Sequence, residues 1–231
     1  MRPLPHRLLA EYLGSLLLAA LVIGSGIAAQ ALSPDDTGLQ LLENAAATAV
    51  GLFALILIFG PVSGAHFNPA VSLADAAFGG LAWRDVPAYT AAQITGCVSG
   101  AVVANSMFDL APISISTTER ATVPHGLSEV VATVGLLLVI FSLVRTGRAA
   151  LVPAAVGAYI GAAYFFTSST SFANPAITIG RVFSDTFAGI APSSVPLYVL
   201  AQVIAVPLAV VLLRVLHPTT TDAPATEGQL R

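Results

Sequence analysis

Charge is what this sequence has least of. Only 9% of its 231 residues are charged, where an ordinary soluble domain has about a quarter, and 56% are hydrophobic with a mean hydropathy of +0.85. That deficit excludes a water-solvated globule; the solvent for most of the chain is lipid. A formal net charge of -3 leaves no basic patch, which excludes nucleic acid as a partner. The single cysteine, Cys97, rules out a disulfide within the chain and any cysteine metal cluster, and reads as helix packing. His6, His66, His125 and His217 are scattered and no nucleophile stands beside a base, so no catalytic constellation, metal or cofactor is expected and the chain does not read as an enzyme.

What is present is a series of apolar runs. A membrane span needs about 20 mostly apolar residues. Six runs qualify: Leu8 to Leu32, Leu41 to Pro61, Val86 to Met107, Gly126 to Val144, Ala149 to Thr167 and Val195 to Leu216. Asn68 to Phe78 and Asn174 to Ser184, about 11 residues each, are helix-prone but too short to cross and read as re-entrant half-helices. Arg2, His6 and Arg7 ahead of the first run could open a signal peptide, yet the run is long enough to span and holds Glu11, so it reads as a retained helix. The expected fold class is an all-α integral membrane protein in one domain over 1–231, with a first repeat at about 8–107 and a second at about 126–216. The connectors carry turn chemistry at Ser33-Pro34-Asp35-Asp36 and around Asp109 to Pro124, and the Thr/Pro-rich tail at about 218–231 reads as disordered.

With six crossings both termini share a side. Arg2, Arg7, Arg84, Arg145, Arg148 and Arg214 fall on that side, whereas Asp35, Asp36, Asp109, Glu119, Arg120, Arg181 and Asp185 fall on the other. Cytoplasmic loops collect Lys and Arg, so both termini are expected in the cytoplasm. Trp83 beside Arg84 suits an interfacial anchor.

Marker residues recur in order. Glu11, Asn68-Pro69-Ala70 and Gln93 are followed by Glu129, Asn174-Pro175-Ala176 and Gln202, at offsets of 118, 106 and 109 residues. Three spans and one half-helix per half is an odd number of crossings, so the second half enters the bilayer inverted and the half-helices meet head to head near mid-membrane. One Asn-Pro-Ala arises by chance in roughly a few per cent of chains this long, whereas two copies, each after a span and each opening a short helix, are a strong signal. Asn is a good helix cap and Pro a good first helical residue, which is sound structure anywhere. It also leaves each Asn amide to donate into a cavity toward which each helix N-terminus brings about half a positive charge. For a cation near 5 Å at an effective dielectric of about 20, two such ends oppose entry by roughly 3 kcal/mol. Neutral solutes are not opposed.

Paired Asn-Pro-Ala, Ser63-Gly64-Ala65-His66-Phe67 ahead of the first copy, and Glu11 and Glu129 in the first and fourth spans together resemble the aquaporin (major intrinsic protein) family across Leu8 to Leu216. That resemblance implies six transmembrane helices plus two re-entrant half-helices, a homotetramer with one pore per subunit in the plasma (inner) membrane, and passage of water, polyols and related neutral molecules without protons. It implies that Glu11 and Glu129 hold backbone N–H groups of the re-entrant loops, which accounts for carboxylates at membrane depth. A proton relay is the alternative role. His66 matches a histidine expected to line the cytoplasmic half of the pore, either as a packed, hydrogen-bonded group or as a pH gate. The carbonyls of Gly64 to Phe67 and Ser171 to Ala173 are expected to form an acceptor ladder.

The family's narrowest point has four positions, which counting from the motifs assigns to Thr48, Ala162, Ser171 and Ile177, with Ile177 in the place of a usual arginine. A filter so composed is small, uncharged and wide, which favours an aquaglyceroporin-like channel for glycerol-sized solutes. A water-selective channel of the same family is the alternative. Arg181, one helical turn after Ile177, is expected either to put a positive charge in the outer vestibule, favouring solutes of acidic character, or to pair with Asp185. The run Thr167 to Arg181 is similar to a bacterial branch of the family associated with arsenic resistance operons, which implies arsenite or methylated arsenicals as solutes. An inverted-repeat secondary transporter is the remaining reading, but coupling needs titratable groups at the site and only the two glutamates offer themselves.

Overall fold

The computed structural model describes residues 2–218, so the tail from 219 to 231, expected to be disordered, lies outside the described residues. Eight α-helices carry the described chain: α1 Leu4–Leu32, α2 Thr37–Ser63, α3 Pro69–Ala77, α4 Val86–Met107, α5 Val123–Arg145, α6 Val152–Phe166, α7 Pro175–Gly180 and α8 Val195–Leu216. Six helical stretches are long and apolar enough to cross a membrane, and α3 and α7 are not among them. Caps decide several boundaries. Asp36 accepts Leu39 N at 2.9 Å and Thr122 accepts His125 N at 3.2 Å, which starts α2 and α5 earlier than hydropathy alone suggests. Pro61 does not end α2. It sits in the last turn, and the helix closes at Gly64, whose φ of 93° supplies the left-handed cap. The second half-helix is shorter than its 11-residue reading: α7 has six residues and passes into a 3-10 turn, Arg181–Phe183.

The packing repeats with the sequence. Helix α1 lies along α4 and against α2, and α5 lies along α8 and against α6. The α1–α4 seam is close enough that a Cβ on Gly96 would stand 2.4 Å from Tyr12 O, and one on Gly100 2.2 Å from Leu16 O. Small residues at such a seam let backbones approach where lipid offers no hydrophobic drive between helices. The two repeats interlock at the half-helices, since α3 also packs on α8 and α7 on α4. Leucines, valines and phenylalanines of the spans are exposed around the outside, which suits lipid contact. Glu11, Gln93, Glu129 and Gln202 are fully buried between the helices.

Candidate functional site

The site is built on those buried polar residues. Glu11 Oε1 accepts Ser63 Oγ at 2.6 Å and His66 N at 3.0 Å, while its Oε2 accepts Phe67 N at 2.7 Å and Gln93 Nε2 at 2.8 Å. In the second repeat Glu129 accepts Phe172 N at 2.9 Å, Ala173 N at 2.8 Å and Gln202 Nε2 at 2.6 Å. Each glutamine amide reaches onward to the half-helix, Gln93 to Ser72 Oγ and Gln202 to Thr178 Oγ1, both at 3.0 Å. A carboxylate in lipid is expensive unless its lone pairs are filled, and here they are.

Those bonds dictate where the loop carbonyls point. In a trans peptide the N–H and the preceding C=O are opposed, so turning His66, Phe67, Phe172 and Ala173 N–H toward the glutamates turns the carbonyls of Ala65, His66, Ser171 and Phe172 away from them, toward the cavity these residues line. The chain accepts strain to do so. Ala65, Phe67, Ser171 and Ala173 have φ of 51°, 49°, 52° and 47°, a left-handed region that costs a non-glycine residue about 1 kcal/mol or more. Strain repeated at equivalent places in two repeats is what a site for a passing molecule requires, and the buried carboxylates offset it.

Asn68 Oδ1 caps α3 by accepting Ala70 N at 2.9 Å, and Asn174 Oδ1 caps α7 by accepting Ala176 N at 2.9 Å. Pro69 and Pro175 occupy the first helical positions. The amides are not wholly free, as capping alone suggested. Asn68 Nδ2 donates to Ala173 O at 2.7 Å and Asn174 Nδ2 to Phe67 O at 2.8 Å, so each half-helix is tied to the loop of the other repeat. An amide carries two N–H groups, and the second of each is left for a solute.

A cavity of about 760 Å³ runs past both motifs, from Arg2 and Arg7 at the end bearing the chain termini to Arg181 at the far end. Its lining is mixed, with polar groups at His66, Asn68, Asn174 and Ser171 and apolar side chains at Leu18, Val22, Leu52, Leu136, Val156 and Ile160. Thr48, Ser171 and Ile177 line the cavity. Ala162 does not. It is exposed on the outer face of α6, and the α6 residue in its stead is Tyr164, two positions on and therefore about 200° round the helix. Counting back across the irregular loop 167–174 put the register on the wrong face. Tyr164 Oη lies 3.2 Å from Thr48 Oγ1, so an aromatic ring stands where a small side chain was expected. Ser171 Oγ has no partner among the described residues.

Arg181 is buried at the cavity wall, its guanidinium stacked 3.5 Å from the centre of the Phe172 ring and its Nε donating to Ala188 O. The expected alternative pairing with Asp185 is absent. Asp185 instead accepts Thr117 N at 2.9 Å, because the helix has already opened into the 3-10 turn between the two residues and the i+4 geometry is lost. The reading of a small, uncharged lining is therefore corrected on both counts, Tyr164 being bulky and Arg181 charged. Arg120 reaches the Phe172 ring as well, at 5.5 Å, and its Nε donates to Gly189 O at 2.8 Å.

At the terminus end, His66 Nδ1 is 3.1 Å from Ser72 Oγ and its Nε2 is 3.6 Å from Asp75 Oδ2. Arg7 donates from Nε to Tyr89 Oη at 2.7 Å and stands 3.5 Å from Asp85. Tyr164 and Asp75 escaped the sequence reading, and Arg7 entered it only as a marker of orientation and not as a cavity residue. Asp75 alone carried a usable signal, since it follows Asn68 by the same seven residues that separate Arg181 from Asn174. No group of three or more metal-ligating side chains occurs among the described residues.

Comparison with known proteins agrees with this fold. The profile of the family Major intrinsic protein matches residues 3–173. Aquaglyceroporin AqpS of Rhizobium meliloti (strain 1021) is 48% identical over 211 residues, which are 91% of this chain and 90% of its own length. Aquaporin NIP1-3 of Oryza sativa subsp. japonica is 35% identical over 183 residues, 76% of this chain and 62% of its own length. The X-ray structure of the aquaglyceroporin from Plasmodium falciparum shares the fold, with a TM-score of 0.71 over 92% of this chain and 96% of that chain at 18% identity.

Proposed function

The chain belongs to the major intrinsic protein family, and on that premise we propose that it is a passive transmembrane channel, not an enzyme, for small uncharged solutes: glycerol-like polyols and water, with arsenite and methylated arsenicals as further candidates. The observation that carries the reading is the cavity of about 760 Å³ that passes the Asn of both Asn-Pro-Ala motifs and is lined by polar and apolar side chains together. A polyol has hydroxyls along one edge and C–H groups along the other. The carbonyls of Ala65, His66, Ser171 and Phe172 with the two Asn amides receive the hydroxyls, and the apolar side chains receive the C–H edge. Thr48, Tyr164, Ser171, Ile177 and Arg181 form the constriction, where the Arg181 guanidinium takes the role of the family's missing filter arginine one turn farther out. His66, Asn68 and Asn174 line the middle, while Pro69, Ala70, Pro175 and Ala176 are buried off the lumen, where they form the first turns of the half-helices, and Glu11 and Glu129 hold the loops in place. The arginine bias supports cytoplasmic termini in a plasma membrane, and the family resemblance supports a homotetramer of single-domain subunits.

Stopped-flow light scattering on reconstituted vesicles tests this, with water, glycerol, urea and arsenite run side by side. Glycerol flux above empty vesicles, unsaturated by concentration and of low activation energy, is the expected result. Saturable flux that depends on an ion gradient would establish a coupled transporter instead.

A further inference from the structure

The charges that face the lumen are unevenly signed. Arg2, Arg7 and Arg181 line it, and Asp75 is the one acidic side chain lining it among the described residues. At the centre two helix N-termini add partial positive charge. Everything from mid-membrane outward therefore rejects cations and draws anions, and a lumen wide enough for a polyol is wide enough for a small bare anion. A channel for neutral solutes needs an obstacle of the other sign.

We propose that Asp75 is that obstacle, a specificity-determining residue whose carboxylate bars anions at the terminus side of the motif pair; the inference rests on the channel reading above. Three observations carry it. The carboxylate lines the lumen and accepts no hydrogen bond among the described residues, its near polar neighbour being His66 Nε2 at 3.6 Å, so it keeps lone pairs and charge to present to a passing ion. Of the two cations on the same side, Arg7 is held by Asp85 at 3.5 Å and donates to Tyr89 Oη at 2.7 Å, and Arg2 is exposed; neither forms an ion pair with Asp75 among the described residues. Finally, the place is kept for it: a Cβ on Gly80 would stand 2.3 Å from Asp75 Oδ1. The inverted repeat gives the arrangement its logic. Asp75 and Arg181 each follow their motif Asn by seven residues, about 10 Å of helix, so equivalent positions on opposite sides of mid-membrane carry an acid and a base. One end turns back anions and the other cations.

A unit charge about 5 Å from the path, at an effective dielectric of about 20 to 40, changes passage roughly 15- to 300-fold. Vesicles holding a halide-quenched dye, with potassium on both sides and valinomycin to clear charge, report bromide influx, and light scattering on the same preparation reports glycerol. The ratio of bromide to glycerol flux is expected to rise at least tenfold in Asp75→Asn, to stay at the wild-type value in Asp75→Glu, and to fall again when Arg181→Ala is added to Asp75→Asn. Asp75→Ser is read in the same way if the Asn form does not insert. An unchanged ratio in the neutral variants overturns the role of Asp75 while leaving the channel intact. Wild-type vesicles no more permeable to glycerol than empty ones overturn the channel reading itself.

Discussion

Replacing Glu129 by Gln keeps the shape of the side chain and reverses one of its hydrogen-bonding atoms. In the native protein the two oxygens take Phe172 N at 2.9 Å on one side and Ala173 N and Gln202 Nε2, at 2.8 and 2.6 Å, on the other. A carboxamide turns its oxygen to the pair and sets its NH2 against Phe172 N. One buried donor is left without an acceptor, at about 1 to 3 kcal/mol, and two charge-assisted bonds become neutral, at about 1 kcal/mol each. The total is about 3 to 5 kcal/mol, which at about 2 to 4 °C per kcal/mol for a chain of this size lowers the melting temperature on the order of 10 °C. Ser171 and Ala173, with φ of 52° and 47°, are held by these bonds, so solute flux should fall more steeply than stability. The equivalent Glu11→Gln sets its NH2 against His66 N, beside a Ser63 hydroxyl that can turn to accept, or against both Phe67 N and Gln93 Nε2, and in either orientation leaves at least one buried donor without an acceptor, so a cost of similar size is expected. Thermal unfolding in detergent by tryptophan fluorescence or circular dichroism, with glycerol flux in parallel, checks both. If Glu129→Gln melts within about 2 °C of wild type and conducts normally, the loops are not held by the carboxylates and the argument fails.

Tyr164→Ala should raise flux of four- and five-carbon polyols several-fold relative to glycerol, whereas Ala162→Phe, on the exposed face of α6, should leave every flux within twofold; the opposite pattern would restore the Ala162 register. Arg181→Ala should shift selectivity among solutes and weaken cation rejection, read as solute flux ratios and bilayer conductance, and unchanged values would make Arg181 a packing residue. Outside the spans, hydroxyls of Ser193 and Ser194 at 2.7 and 2.9 Å hold the Glu119 carboxyl below its ordinary value of 4.5. A depressed carboxyl stabilises above its unfolded value and loses that contribution as pH falls through its folded one. Glu119→Gln should therefore melt below wild type at neutral pH, and the two curves should converge under acid conditions, as followed by thermal unfolding across pH 3 to 7.

The paired motifs, the inverted order and the two glutamates were legible because each is a residue type whose presence in lipid demands a partner. Asn-Pro specifies a capped helix start from local chemistry alone, and a lone intramembrane Glu implies waiting N–H groups. Tyr164 was not legible, because its facing depends on how many residues the loop 167–174 spends in irregular conformation, and hydropathy does not count those. The left-handed residues were hidden for a related reason: alanine, phenylalanine and serine carry no propensity for positive φ, and only the distant carboxylates impose it. Arg181 was noticed but its partner was not, since i+4 spacing predicts pairing only while the helix continues.

The crosswise amides, Asn68 to Ala173 O and Asn174 to Phe67 O, bear on how the protein is made. When the ribosome has delivered the first repeat, α3 has no partner for its cap amide, and the carbonyl of Phe67 has no donor. Neither half can complete its own centre, so the centre closes only once α7 is in place. The mid-membrane centre is thus a joint property of both repeats, each supplying the acceptor for the other's cap amide.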